Sequence, residues 1–381
     1  MALGSSIGRA WRPAAAANLL RLGVLAYMAV LHRYAPDFYY LSVQEDEYIE
    51  WATYCAFAFA AAGWLAGAWR HRIQRQPHWW FALAMTAFCV FVAGEEISWG
   101  QRLLAYRPPV YFLEHNFQQE LNVHNVISTD LRKLGLKCVL AGYGIALPLI
   151  AAVGPIRRRL DRWGVVAPPA WLIPLFAAAL AAYVHYPWKY TGEIVELMMG
   201  LGFLFAVAYH LLSTGGPSRW NHHPAMALAA CWLAAVVFGG VNAWAGRVRR
   251  AGDPARIAAA RVELEALRKD FQWMARHHEG FSMSHSLHKR VYTYEVEHKA
   301  THLREGEFAA LRKRGLNEAR AEFFLDPWNL PYWINVRSGR SGEPRMAFVY
   351  SFGPNRRRDS TYTEIRGDDL GAMIVPPHER D

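Results

Sequence analysis

The residues best suited to chemistry in this chain are carboxylates and imidazoles at the ends of long apolar stretches. Glu47 and Glu50 open one such stretch, Glu95 and Glu96 close the next, and Glu193 and Glu196 open a later one, just after His185. Between them the segment RLLAYRPPVYFLEHNFQQELNVHN holds Glu114, His115, Glu120 and His124. A carboxylate beside hydrocarbon is costly, so it pairs, binds a cation or lines a wet cavity. Glu193 and Glu196 are three residues apart and share a helix face; Glu120 and His124, four apart, share one if that segment is helical. Glutamates with imidazole can hold a divalent metal or share a proton for acid–base chemistry. Crowded like charges would push protons onto some of these carboxylates. The plainer alternative is that span-end glutamates are solvated or pair with Arg102, Arg107 and Lys189.

The elements that must position these groups are membrane spans. A helix needs about 20 mostly apolar residues to cross the hydrocarbon. Seven stretches qualify, roughly 15–34, 47–69, 78–98, 135–155, 166–187, 191–213 and 224–246. The first contains Arg21 and follows Arg9 and Arg12, a signal-like pattern without a convincing cleavage site, and reads as an uncleaved span. Arg70, Arg72 and Arg75 join the second and third spans, and Arg157, Arg158, Arg159 and Arg162 the fourth and fifth. Basic loops favour the cytoplasm, so the N-terminus is expected there and the C-terminal region outside. The acidic first external loop, with Asp37, Glu45, Asp46 and Glu47, agrees; Arg247, Arg249 and Arg250 do not. This threading puts the glutamates and His124 on one side of the membrane.

Composition breaks near Gly246, dividing a transmembrane domain, 1–246, from a charged soluble domain, 247–381. The net charge of +10 sits largely in arginine clusters beside spans, which argues for topology control and against nucleic-acid binding. Cys55, Cys89, Cys138 and Cys231 all lie in apolar segments, so no disulfide framework or CxxC metal site is available.

The string GEEISWGQRLL followed by HNFQQELNVHN, with EDEYIEWATYCAFAFAAAGWLAG before it, resembles a family of multipass bacterial membrane proteins with a GEEISWGQR-type motif ending one span and an NxHN-type motif closing the next loop. The resemblance covers about 40–215, and no established reaction attaches to it. Carried over, it points to Glu95, Glu96, Arg102, Glu120 and His124 as candidate catalytic residues and to Trp99, Gln101, Asn122 and Asn125 as candidate binding residues, to which the span-end cluster adds Glu193 and Glu196. Glu96, Glu120 and His124 are the candidate ligands for a divalent ion. CAAX-type intramembrane proteases also carry a double glutamate, but Gly100 stands where they have arginine, and Arg102 comes two residues late.

The tail reads differently. Asp253 and Pro254 suit the start of a helix, and Ile257, Ala260, Leu264, Leu267, Phe271 and Met274 make one apolar stripe. The alternation in MAFVYSF predicts a strand. With FFLDPWNLPYWINV before it and IRGDDLGAMI after, this order resembles the C-terminal domain of type II secretion major pseudopilins over about 250–372. The matching positions are Asp326, Pro327, Trp328, Pro331, Tyr332, Ser351, Gly353, Pro354, Asp368 and Asp369. That family's loop binds calcium through oxygen ligands, which makes Asp368 and Asp369 candidate calcium ligands; Asn355 and Arg356, Arg357 and Arg358 depart from the pattern. Asn329 stands at the turn glycine and tolerates left-handed geometry. No pilin-type cleavage motif precedes the last span, and GDP interrupts the helix between span and domain. His277, His278, His285, His288, His298 and His302 read as a solvated polar stretch.

The expected fold is therefore an all-α membrane bundle of about seven helices plus an α+β pseudopilin-like domain, a long helix on a small antiparallel sheet. The leading functional expectation is an inner-membrane envelope component, anchored in the bilayer and contacting envelope or secretion-system proteins through its tail. The alternative is a membrane enzyme for a lipid-linked substrate, or a cation- or proton-coupled transporter, using the Glu/His cluster.

Overall fold

The computed structural model describes residues 3–44, 47–104, 106–109, 111–112, 116, 120–214, 240–241, 244, 254–277, 325–338 and 344–375. They are mostly helical and form two compact units, Met1–Ile97 with Ser128–Gly239, and Ser98–Ile127 with Gly240–Asp381. The expected cut near residue 246 thus misses one feature: the polar segment 98–127 groups with the tail.

The first unit contains α1 (Leu3–Tyr34), α2 (Pro36–Ser42), α3 (Tyr48–Ile73) and α4 (Trp79–Glu96). The short α5 (Gln101–Leu104) belongs to the second unit. The first unit resumes with α6 (Thr129–Cys138), which runs directly into a π-helical stretch (Val139–Ala146) and α7 (Leu147–Ala151); α8 (Gly154–Trp163), α9 (Ile173–His185) and α10 (Thr191–Thr214) come after it. Among the described residues, five helices are long and apolar enough to cross a membrane: Ala14–Tyr34, Tyr48–Ile73, Trp79–Glu96, Asp130–Ala151 and Thr191–Thr214. The expected span at 166–187 is a shorter apolar helix, Ala170–His185. Pro168 and Pro169 account for its late start, because proline disfavours helix in the residue before it. The expected span at 224–246 lies almost wholly outside the described residues.

Helices suit these sequences because hydrocarbon offers no partner for backbone polar groups, and a helix satisfies them internally. Between apolar helices in lipid, packing replaces the hydrophobic effect, and small residues let backbones approach. Accordingly α3 packs on α4 and α10, with Gly63 against Val207 and Gly200 against Ala56 and Phe57. Phe176 of α9 is wedged between Gly144 and Gly202. Around it Tyr143 stacks on Phe203 at 4.5 Å, and Phe88 and Phe57 flank the same ring. Arg21, the charge within the first span, donates to the Pro174 carbonyl at 2.8 Å.

In the second unit α11 (Pro254–His277) packs on β2 (Pro344–Ser351) and β3 (Leu370–Val375) of a sheet of order β1-β2-β3, with β1 being Trp333–Ser338. Both pairings are antiparallel. Ala260, Leu264 and Leu267 bury the expected helix stripe, and Leu330, Met346, Phe348, Tyr350 and Phe352 form the core beneath the sheet. The side chains of Phe271 and Met274, and Asp253, lie outside the described residues. The turn ahead of β1 is closed by Asp326, whose Oδ1 accepts from the Trp328 and Leu330 amides, each at 2.9 Å. Its Oδ2 accepts from the Ser351 hydroxyl at 2.6 Å, tying the turn to β2. Asn329 adopts the left-handed conformation expected of it, at φ 63°.

Candidate functional site

The antiparallel run of α3, α4 and α10 brings one end of each helix to a common face. Glu50 lies in the first turn of α3, Glu95 and Glu96 in the last turn of α4, and Glu193 in the first turn of α10 with Glu196 one turn on. Glu196, Glu50, Glu193 and Glu95 all act electrostatically on Glu96, in that order of strength. Glu95 is buried and Glu96 half-buried. Five carboxylates from three helices therefore converge at one end of the first unit.

Tyrosines not anticipated from the sequence surround this cluster. Tyr186 lies within electrostatic reach of Glu193 and Glu196, Tyr183 of Glu196, and Tyr39 of Glu193; Arg132 acts on both Tyr183 and Tyr186. The Tyr39 hydroxyl donates to the Lys189 carbonyl at 2.7 Å, which ties α2 to the start of α10. The signal for these residues was their placement: each sits beside the same span ends as the glutamates.

The remaining candidates belong to the second unit and form a different structure. The chain leaves α4 through three successive left-handed residues, Ser98, Trp99 and Gly100, at φ 45°, 52° and 81°. Such a run is strained for the two non-glycine residues, and a network of buried side chains centred on Glu120 holds it in place. The Ser98 hydroxyl and the Asn122 amide each donate to Glu120 Oε2 at 3.0 Å. Asn116 donates to the Glu120 carbonyl at 2.5 Å and to Asn122 Oδ1 at 2.7 Å, and Gln101 Oε1 accepts from the Leu121 amide at 2.6 Å. Ser98, Gln101, Asn116, Glu120 and Asn122 are all buried. The segment around Glu120 and His124 is not helical, so the shared helix face supposed for them does not form. His124 and Asn125 come next, half-buried in a turn. The Arg102 side chain, Glu114 and His115 lie outside the described residues, and Trp99 is exposed.

Among the described residues, no three His, Cys, Asp or Glu side chains are grouped so that they could hold a metal ion. Most carboxylate oxygens of the tail loop bond within it, and buried Asp369 Oδ1 has no hydrogen-bond partner among the described residues. Asp368 accepts from the Asn355 amide N–H at 3.0 Å and from Asn355 Nδ2, which also donates to Asp359 Oδ2 at 2.9 Å. Asp369 Oδ2 accepts from the backbone of Ser360 at 2.8 Å and of Asp359 at 3.2 Å. An amide donor thus lies between two carboxylates, where calcium would need oxygens converging on it. Arg358 is buried with its guanidinium 4.5 Å from the Trp333 ring centre and 5.0 Å from that of Phe352.

These buried acids give the tail a pH dependence. Burial pushes Asp369 up from 3.8 to about 7, and Asp326 up from 3.8 to about 6. A folded-state value raised above the unfolded one means that the folded domain binds more protons. Its stability is greatest below pH 4 with respect to these groups, falls as pH rises towards 7 and then levels. Each group contributes a loss on the order of 3 kcal/mol over that range. Hydrogen–deuterium exchange of the β2 amides, corrected for intrinsic rates, should accordingly show more protection at pH 5 than at pH 7.5.

At the opposite end of the bundle a histidine group lies outside every motif. His71 Nε2 and His210 Nε2 are 2.8 Å apart, His71 Nδ1 faces Gln76 Oε1, and Trp64 stacks on His210. The tautomer of His71 sets which partner donates in each of these contacts. This pair joins α3 to α10 where they end. Of the cysteines, Cys55 and Cys89 are buried and Cys138 is exposed on the helical surface. His277 is placed only as backbone, and His278, His285, His288, His298 and His302 lie outside the described residues, as does Cys231.

Compared with protein-family models, curated proteins and solved structures, the chain matches none.

Proposed function

We propose that this is a bacterial inner-membrane protein whose bundle takes up protons at a carboxylate site on its outer face. The observation that carries the reading is the convergence of Glu50, Glu95, Glu96, Glu193 and Glu196 from three helices onto one end of the bundle. Carboxylates brought together at a membrane boundary repel one another, and sharing a proton relieves that repulsion. Such a site serves a proton-coupled carrier, or an acid–base enzyme acting on a lipid-linked substrate at the interface. The N-terminus is cytoplasmic and the tail domain periplasmic or extracellular in this reading.

A second reading is favoured by a separate observation, the packing of α11 on a three-stranded meander behind an Asp326-capped DPWNLPY turn. This arrangement fits the pseudopilin resemblance, and pilin-type domains work through surfaces. Here the chain is an envelope component that docks secretion-system or other envelope proteins.

Replacing Glu95, Glu96 and Glu196 with glutamine, one at a time in the native host, separates the two. The carboxylate reading expects the deletion phenotype to appear in these variants while insertion and folding stay normal. Unchanged behaviour in all of them, with loss only on removing residues 250–381, would instead support the docking reading.

A further inference from the structure

We propose that α8 and the turn between α3 and α4 form a binding surface for anionic phospholipid headgroups, at the membrane end opposite the carboxylates. α8 is amphipathic on a small scale. Ile156, Leu160 and Trp163, spaced four and three, fall on one stripe, with Arg157 and Arg159 at its edges and Arg158 and Arg162 behind. Apart from half-buried Leu160 the helix is exposed along its length, with Trp163 at 64%. A helix whose apolar stripe stays mostly exposed among the described residues, directly after a span ending at Ala151, has the character of an interfacial helix.

Its position is fixed against the neighbouring turn. The Trp80 indole donates to the Trp163 carbonyl at 2.8 Å. Gly164, left-handed at φ 77°, lies so close to Pro77 that a Cβ would sit 2.3 Å from its carbonyl oxygen. That docking sets α8 beside Arg70, Arg72 and Arg75, with Arg72 4.8 Å from the Trp79 ring centre. Among the described residues of α8 and the α3–α4 turn, seven arginines therefore stand with one acid, Asp161, and exposed Trp69 and Trp80, with aliphatic Ile73, lie beside them. Arginine forks match phosphodiester oxygens, and exposed tryptophans settle at headgroup depth. The combination fits a lipid phosphate in the leaflet, since a soluble anion would gain nothing from the apolar stripe.

The test uses the full chain purified in detergent, offered phosphatidylglycerol or phosphatidylcholine. Lipid retention is read by native mass spectrometry and stabilisation by thermal unfolding. We expect phosphatidylglycerol to be preferred by about tenfold or more, weakening as salt rises, in keeping with the contribution of each basic side chain near an anionic surface. The preference should vanish in Arg157→Gln/Arg158→Gln/Arg159→Gln/Arg162→Gln and weaken in Trp163→Ala, while unfolding in phosphatidylcholine stays as in the unaltered chain. Inorganic phosphate should not substitute. Equal retention of both lipids, equal competition by inorganic phosphate, or a preference that survives the fourfold change would overturn the proposal. Should that variant fail to fold, salt dependence in the unaltered chain decides, and a salt-insensitive preference counts against it.

Discussion

Asp326→Ala is expected to unfold the sheet of the tail domain. The Asp326 carboxylate is the shared acceptor for the Trp328 and Leu330 amides and the Ser351 hydroxyl, all buried. Alanine leaves each donor without its acceptor in a space closed to water. An orphaned buried donor costs about 1–3 kcal/mol, so the three together cost on the order of 5 kcal/mol, comparable to the whole stability of a small domain. Asp326→Asn keeps the Oδ1 acceptor for both amides and disturbs only the Ser351 bond, so its cost should be about 1 kcal/mol. Limited proteolysis of the full chain would show this order, with the alanine variant cut within β1–β2 and the asparagine variant resistant. Equal resistance of the two would show that the turn does not depend on this carboxylate.

Gly144→Ala is the second large effect, and it acts on the bundle. A Cβ at position 144 would lie 2.1 Å from Cγ of Phe176 and 2.5 Å from its Cβ. The clash reaches the root of the phenylalanine, so a rotamer change cannot relieve it and the helices must separate. From the other side a Cβ on Gly202 would lie 2.4 Å from Cζ of the same ring, so Phe176 has no room to retreat. Overpacking of this kind typically costs about 1–3 kcal/mol, and more where the backbone cannot yield. Thermal unfolding in detergent should show Gly144→Ala well below the unaltered chain, with Gly144→Ala/Phe176→Ala recovering part of the loss. A double variant no better than the single one would place the strain elsewhere.

How legible these features were in the sequence depended on how local their causes are. The long spans were readable because apolar length suffices: expected 47–69 and 191–213 correspond to Tyr48–Ile73 and Thr191–Thr214. The fourth was expected to start at 135 but begins near Asp130, since the helix takes in a polar turn with Lys133 that a hydropathy reading discards. Carboxylate convergence came from threading alone, because antiparallel helices return their ends to one face. The Glu120–His124 pair failed for a different reason. Its helical spacing was an assumption, and side-chain amides from Asn116 and Asn122, with Ser98, offered the chain another way to satisfy itself. The His71–His210 pair was invisible because it depends on the register between α3 and α10, which no single-helix pattern encodes. In the tail, the helix stripe and central strand were readable from period, whereas the role of Asp326 was not, because Ser351 lies 25 residues away in sequence.

Chemical labelling tests the carboxylate site most directly. Dicyclohexylcarbodiimide modifies carboxyls that hold a proton in apolar surroundings, and peptide mass spectrometry locates the adduct. At neutral pH in native membranes the adduct should fall within Glu50, Glu95, Glu96, Glu193 and Glu196, and drop sharply when these five are changed together to glutamine. Absence of labelling from all five glutamates, with the protein intact, would contradict the account.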